Sequence, residues 1–379
     1  MKNRIHSIDI VRGLIMIIMT LDHVRDFLHT PSQPTNMQTT TVVLFFTRWI
    51  THFCAPTFVF LSGVSAYLAG QRRSKGELSA FLLKRGLWLV VSDLVFITLL
   101  FSFNPKFQFI TLEVLAAIGV GMILLAALIR LPVWLIGTIG FVIIFGHNLA
   151  ETLLPDNPVT GILLKARPAV IPLSSTHTIF ELYAFIPWAG PLLLGYAFGQ
   201  LYANGFNGIK RRKILLLSGL AATLLFIALR YINQYGDPAP WAVQRNAAHT
   251  LLSFLNTTKQ TPSLLYLLMT LGPVMVLLSL TENISNRFSA ICEVFGNVPY
   301  AYFIGHMAFI RLINVLLIFI DDIPFKSTGF PLVWQADGFG HPLWQVYLLW
   351  LFVLIVLYFP ARWYGNYKRG HKQWWLSYL

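Results

Sequence analysis

Four residues near the start of the chain, Asp9, Arg12, His23 and Asp26, place charge and titratable chemistry inside an otherwise apolar run. On an ideal helix the step from Arg12 to His23 is three turns plus about 20°, so both project from one face about 16 Å apart. Asp9 then lies about 60° to one side of that line and Asp26 about 40° to the other. A charge at the centre of a bilayer costs roughly 2.5 kcal/mol or more, so such a stripe must line a protein interior or a water-filled passage. His23 is the member with chemistry to offer, because an imidazole titrates near neutrality and takes a proton from a hydroxyl, amine or thiol. Asp26, one turn on, or a residue of another helix would orient it in preference to the adjacent Asp22, which points about 100° away. The same stripe also suits a proton or ion path, or a packed network of ion pairs.

Other polar groups in apolar surroundings are candidate substrate contacts. Arg48 and His52 stand at i, i+4 spacing shortly before Ala55-Pro56-Thr57 and read as acceptor contacts or a second proton carrier. The plain alternative is an interfacial Arg that snorkels and a His bonded to a carbonyl. Glu113, Glu181, Asp93 and His306 are single ionisable groups in apolar runs. His306 follows Gly305 and the stretch Gly296-Asn297-Val298-Pro299, where Gly and Pro leave backbone groups free to line a pocket. Asn256 and Lys259, in Asn256-Thr257-Thr258-Lys259, offer amide and ammonium donors to a polar ligand. There is no Walker A sequence, GxSxG elbow, HExxH or CxxC, and the histidines lack a ligand spacing that would imply a metal.

The elements that must hold these groups are membrane helices. Of 379 residues 56% are hydrophobic and 11% charged, with a mean hydropathy of +0.65; that is less than half the roughly 25% charge that coats a soluble protein. Soluble multidomain enzymes, disordered chains and secreted disulfide scaffolds are excluded together, and Cys54 and Cys292 are too few for a bridge framework or a zinc site. Runs of about 20 mostly apolar residues predict spans at 10–28, 44–69, 82–103, 108–129, 132–149, 179–203, 214–232, 263–281, 290–319 and 342–361. Their length excludes a transmembrane barrel. The expected fold class is all-α, a polytopic integral membrane protein of about ten transmembrane helices forming a single domain over residues 1–379.

The net charge of +13 does not signal nucleic acid, because the basic residues sit in short loops and no nucleic-acid motif accompanies them. Seventeen Lys and Arg fall on one set of alternating loops: Lys2, Arg4, Arg72, Arg73, Lys75, Lys84, Arg85, Arg130, the four residues 210–213, Arg287, Arg362, Lys368, Arg369 and Lys372. Six fall on the other set, Lys106, Lys165, Arg167, Arg245, Lys259 and Lys326, although those loops are longer. This bias predicts that both termini are cytoplasmic. The long segments 150–178, 233–262 and 320–341 then all lie outside, placed to cover an outward-facing site.

The stretch Ser7-Ile8-Asp9-Ile10-Val11-Arg12-Gly13-Leu14, leading to His23, resembles the transmembrane acyltransferase superfamily. An Arg, ten residues and then a His on the first helix is a motif of its acyltransferase-3 group. Within the superfamily the chain is more similar to heparan-alpha-glucosaminide N-acetyltransferase and its bacterial relatives. Phe58-Val59-Phe60-Leu61-Ser62-Gly63 looks like that family's second-helix segment, and Gly296-Asn297 through Gly305-His306 like its late glycine-histidine segment. The similarity runs from residue 7 to about 320. One feature departs from the family: its His-Ala-x-Trp stretch after the first helix is replaced by Leu28-His29-Thr30-Pro31, so His29 competes with His23 for the catalytic role and is otherwise a substrate contact.

The resemblance implies acyl transfer from cytosolic acetyl-CoA to an amine or hydroxyl of a glycan or small polar acceptor across the membrane, in a bacterial inner membrane. His23 would be the base or acyl carrier, with Asp22 and Asp26 beside it. The CoA phosphates would meet Arg12, with Asp9 beside it, and Arg72, Arg73, Lys84 and Arg85 as helpers. The extended pantetheine arm is comparable in length to the Arg12–His23 separation. The competing reading is a proton- or ion-coupled transporter.

Overall fold

The first helix, α1 (His6–Leu28), carries the whole polar stripe. Its Ile, Leu and Met run sustains helix until His29 turns extended, two residues ahead of Pro31. This computed structural model describes residues 5–155, 157–165, 169–323, 336, 338–371 and 373–377; Lys2, Arg4, Arg167, Lys326 and Lys372 lie outside the described residues. After α1 comes α2 (Val42–Trp49), capped by the Thr41 hydroxyl, which accepts from the Leu44 amide at 3.2 Å. A single 3₁₀ turn, Ile50–Phe53, joins it to α3 (Cys54–Gly70), where Pro56 sits in the first turn and its missing N–H costs nothing.

α4 (Lys75–Ser92) opens on a Ser74–Glu77 capping box and passes through a π turn, Asp93–Ile97, into α5 (Thr98–Ser102). The remaining elements are β1 (Phe109–Leu112), α6 (Val114–Leu128), α7 (Val133–Leu153), α8 (Pro158–Leu164), β2 (Ala169–Pro172), β3 (Thr178–Glu181), α9 (Phe185–Phe198), α10 (Gly208–Ile232), α11 (Ala247–Leu255), α12 (Leu264–Thr281), α13 (Arg287–Gly296), α14 (Pro299–Ile320) and α15 (Leu343–Gly370).

Seven helical stretches are long and apolar enough to cross a membrane: Val42–Gly70, Lys75–Ser102, Val133–Leu153, Gly208–Ile232, Leu264–Thr281, Pro299–Ile320 and Leu343–Gly370. The chain is therefore a mostly helical integral membrane protein, but the ten spans read from hydropathy are not all recovered. The run at 10–28 is long enough yet too charged to qualify. The runs at 108–129 and 179–203 begin as strand, which leaves α6 with 15 residues and α9 with 14. Phe-Ile-Thr-Leu and Thr-Ile-Phe-Glu are the β-branched and aromatic sequences that favour extended backbone. The expected helical membrane fold holds, with one small addition, a sheet of order β1-β3-β2 in which Phe109 pairs with Thr178 in parallel and Ala169 with Glu181 antiparallel. The run at 290–319 divides ahead of Pro299, which starts a fresh helix.

α1 is surrounded by α3, α12, α13, α14 and α15. Its first half lies backbone to backbone on α13: a Cβ on Gly13 would stand 1.7 Å from the Cys292 carbonyl oxygen, and one on Gly296 2.0 Å from that of Asp9. No larger residue fits this crossing. At the end where α1 begins, the basic loops meet: Lys75 Nζ donates to the Arg130 carbonyl at 3.0 Å, Arg211 pairs with Glu282, and His6 with Glu293. At the other end Arg245 donates to the Gln38 carbonyl and Asn256 to that of Thr35, both at 3.2 Å. The alternation of loops read from charge is thus an alternation between two ends of the bundle.

Asp93 shows how one buried carboxylate is put to structural use. Its Oδ2 accepts from the Glu113 amide at 2.9 Å and the Ala116 amide at 2.6 Å, capping α6 from the π turn of a neighbouring helix. Replacing it, Asp93→Ala, strands two buried N–H groups and should lower stability by about 1–3 kcal/mol; thermal unfolding in detergent measures the loss.

Candidate active site

His23 sits five residues before the end of α1, and its hydrogen-bonding partner comes from α14. His306 Nε2 lies 2.7 Å from His23 Nδ1, the two rings stack at 4.9 Å and 20°, and His306 Nδ1 lies 2.9 Å from the Tyr302 carbonyl oxygen. A carbonyl only accepts, so His306 Nδ1 carries the proton and donates to it. The neutral His306 ring therefore offers Nε2 as an acceptor, and His23 Nδ1 must donate to it. His23 Nε2 is left with a lone pair, the form required of a general base. His306 is itself fully buried, and Tyr302 stacks on its other face at 5.3 Å and 6°. The Tyr302 hydroxyl meets Thr20 of α1 at 2.8 Å, so the α1–α14 seam is polar over two turns.

Of the two orienting partners expected for His23, the one on another helix is observed, His306, while Asp26 and the adjacent Asp22 are hydrogen-bonded to arginines. Arg25 donates to Asp22 at 2.8 Å and to Asp26 at 2.5 Å, and Arg48 donates to the other Asp22 oxygen at 2.6 Å. Two carboxylates and two guanidiniums thus form a closed, formally neutral cluster beside the imidazole, as a buried charge in a low-dielectric interior requires. Asp26 is on its exposed side.

His23 lines a small cavity with Met19, Asp22, Phe58, Phe101, Glu113, Tyr183, Lys259 and Phe303 among its walls. A larger channel has Arg12, Ser65 and Arg85 at the end where α1 begins and apolar walls from α3, α4 and α6. Phe58, Val114 and Phe303 border both spaces and form the partition between them. The Phe303 and His23 rings meet edge to face with their centroids 6.0 Å apart. A long, mostly apolar chain with an anionic head would fit the channel, head against the arginines and tip toward His23.

The other expected contacts divide by position. Arg12 donates to Asp9 at 3.2 Å, to Ser65 Oγ at 3.1 Å and to the Gly296 carbonyl at 3.3 Å, which fixes it at the channel mouth. Arg73 stacks on Phe81, a channel wall, at 4.4 Å; Arg72 and Lys84 are exposed and outside the lining. Glu113 and Lys259 reach the His23 cavity, Lys259 with its ammonium 6.0 Å from the Tyr183 ring. Burial, reinforced by Asp93, pushes the Glu113 carboxyl up to about 8, so it is protonated at neutral pH. Arg48 acts on the site through Asp22.

His52, Asn256, Glu181 and His29 lie outside the cavity lining. The 3₁₀ turn takes His52 off the face it was expected to share with Arg48, and its Nδ1 is 3.2 Å from the Trp49 carbonyl. Asn256 ties its loop to Thr35. Glu181 ends β3 with both carboxyl oxygens buried and no hydrogen-bond partner among the described residues; burial pushes it up to about 9. His29 pairs with Ser32 at 3.2 Å at the end of the bundle.

Two residues that position the site were not singled out from sequence. Arg230, fully buried at the end of α10, donates to the carbonyls of Phe254, Ser253, Asn256 and Ala239, and Asp237 accepts from the Thr258 amide at 2.9 Å and from Ser263 Oγ at 2.6 Å. Together they hold the loop that delivers Lys259. An Arg inside an apolar run was the available signal for the first.

A family model described as "Heparan-alpha-glucosaminide N-acetyltransferase, catalytic" matches residues 4–231, which carry Arg12, His23, Glu113 and most of the channel wall. No curated protein matches the chain. His306 and Lys259 lie beyond the matched residues. The closed cluster makes its own prediction: Arg48→Met leaves Asp22 buried with Arg25 alone and should cost about 3 kcal/mol, whereas Asp22→Asn combined with Arg48→Met should recover most of it, as read by denaturation in detergent.

Proposed function

The chain belongs to the heparan-alpha-glucosaminide N-acetyltransferase catalytic family, and we propose that it transfers an acetyl group from cytosolic acetyl-CoA to an amine or hydroxyl of a glycan-type acceptor entering from the opposite side. The observation that carries this reading is the single tautomer imposed on His23 where a basic-mouthed channel abuts the cavity that holds Glu113 and Lys259. The end bearing the basic loops, with Arg12, is read as cytoplasmic, and both termini with it.

The residues present fit acetyl-CoA. Arg12 and Arg85 at the channel mouth would bind the phosphates by charge-assisted hydrogen bonds, with Arg73 alongside. Leu61, Leu82, Leu115 and Ile118 would line the pantetheine arm and exclude water from it. The donor supplies an activated acyl group; the chain supplies position and proton handling. His23 Nε2 takes the proton from the attacking amine or hydroxyl. The same imidazole, then cationic, gives that proton to the departing thiolate, and the adjacent Asp22–Arg25–Asp26–Arg48 cluster needs no rearrangement in the process. His306 is a positioning residue in this scheme, holding the proton on His23 Nδ1 so that the lone pair always faces away from α14.

Acetyl transfer to a glucosamine acceptor by purified protein should fall at least about 10³-fold in His23→Ala, with acetyl-CoA binding by calorimetry unchanged; turnover at the wild-type rate would end the proposal. His306→Ala, which releases the tautomer, should lower kcat about 10–100-fold with little change in the KM for acetyl-CoA. Arg12→Ala should do the reverse, raising that KM about tenfold at near-constant kcat, a loss of about 1.4 kcal/mol of binding.

A further inference from the structure

We propose that Lys259 is a catalytic residue of this reaction, donating from its ammonium to the oxyanion that develops on the acyl carbon when the acceptor attacks. The inference rests on the acetyl-transfer reading above and on the charge inventory of the His23 cavity. Asp22 and Asp26 are neutralised within their own cluster by Arg25 and Arg48. Glu113 is held protonated. His23, which donates from Nδ1 to His306, brings no negative charge to the cavity. Lys259 makes no ion pair among the described residues, its nearest aromatic neighbour being Tyr183, and it lines the same cavity as His23. Among the described residues it is therefore a cation on the His23 cavity with no ion pair of its own.

A cation held without an ion-pair partner against a mostly apolar cavity wall is fully compensated only when an anion arrives. The reaction provides one. The acceptor N or O forms its bond to the carbonyl carbon, its proton passes to His23 Nε2, and the carbonyl electron pair moves onto oxygen. Collapse restores the carbonyl, breaks the C–S bond and returns the His23 proton to sulfur, giving the acetylated acceptor and CoA thiol. The positive charge faces the cavity in advance because the loop that carries it is pinned by Arg230 and Asp237, so no reorganisation is needed when the charge forms.

The groups around Lys259 are Asp22, His23 and Asp26 of α1, Arg48 of α2, Cys54 of α3, Glu113 ahead of α6 and Tyr183 after β3. Burial lowers the Lys259 ammonium below the usual lysine range, Arg48 adds to this, and Asp22 and Asp26 oppose it. A lowered ammonium loses its proton earlier than a free lysine as the pH rises, so its contribution disappears on the alkaline side.

Lys259→Met should lower kcat about 10²–10³-fold while leaving both KM values within about twofold. Lys259→Arg should recover part of the rate and extend it to higher pH, since a guanidinium does not titrate there; Glu113→Gln, which removes the other alkaline group, should leave the alkaline fall of the wild type in place. Independently of turnover, a CoA derivative bearing a methylphosphonate anion in place of the acetyl group should bind Lys259→Met at least tenfold more weakly than wild type by calorimetry, with CoA itself binding equally to both, which also reports that the variant is folded. Unchanged kcat and unchanged phosphonate affinity in Lys259→Met overturn the assignment, as does a loss confined to the acceptor KM. If His23→Ala is inactive while Lys259→Met is fully active, only this inference fails; if His23→Ala turns over normally, the acetyl-transfer reading fails with it.

Discussion

A backbone carbonyl decides the chemistry of this protein. Because the Tyr302 oxygen can only accept, the proton on His306 is assigned, and because His306 is neutral the proton on His23 is assigned too. Two hydrogen bonds thus convert a ring with two interchangeable nitrogens into a base with one working edge. The arrangement needs α1 and α14 at close range and in fixed register, which the Thr20–Tyr302 hydrogen bond and the stacked rings of Tyr302, His306 and His23 enforce. The close backbone crossing of α1 on α13, just ahead of α14, sets the same register from the other end of the helix.

The treatment of charge separates scaffold from site. In a low-dielectric interior an ionised group survives only if paired, hydrogen-bonded or neutralised. Asp22, Arg25, Asp26 and Arg48 are paired with one another, Asp93 is hydrogen-bonded to two amides, and Glu113 and Glu181 are pushed toward the neutral form. Against that background a lone ammonium and a lone imidazole nitrogen on one cavity stand out. The stripe of α1 does not form a continuous ladder of charge, since the Asp9–Arg12 pair and the Asp22–Arg48 cluster each close on themselves at opposite ends of the helix.

The two spaces flanking Phe58, Val114 and Phe303 divide the work. One is long, apolar and basic at its mouth; the other is shorter, carries His23, Glu113 and Lys259 among mostly apolar walls, and is reached by the Tyr183 and Lys259 loops from the far end of the bundle. In the proposed acetyl transfer such a partition would keep solvent from an activated acyl group approached from opposite faces. The strands β1 and β3 belong to this design. They replace the first turns of what would have been two longer helices and bring Glu113 and Tyr183 to the cavity.

What the sequence determined by itself was everything that follows from local composition. Apolar runs dictated membrane helices, the charge bias of the loops dictated which ends lie together, and the 100° step of a helix placed Arg12 and His23 on one face. The short motif at Asp9–Arg12–His23 carried the family. What it could not determine was the partner of each polar group. Asp22 and Asp26 are nearest to His23 along the chain, but the helix aims them at Arg25 and Arg48, while the true partner, His306, is 283 residues away. The strand segments were misread because hydropathy does not distinguish a buried strand from a short helix. Periodicity fixes where a side chain points on its own element; which atom it meets depends on the packing of elements distant in sequence, and in a membrane interior the hydrogen bond made there sets the protonation of the site.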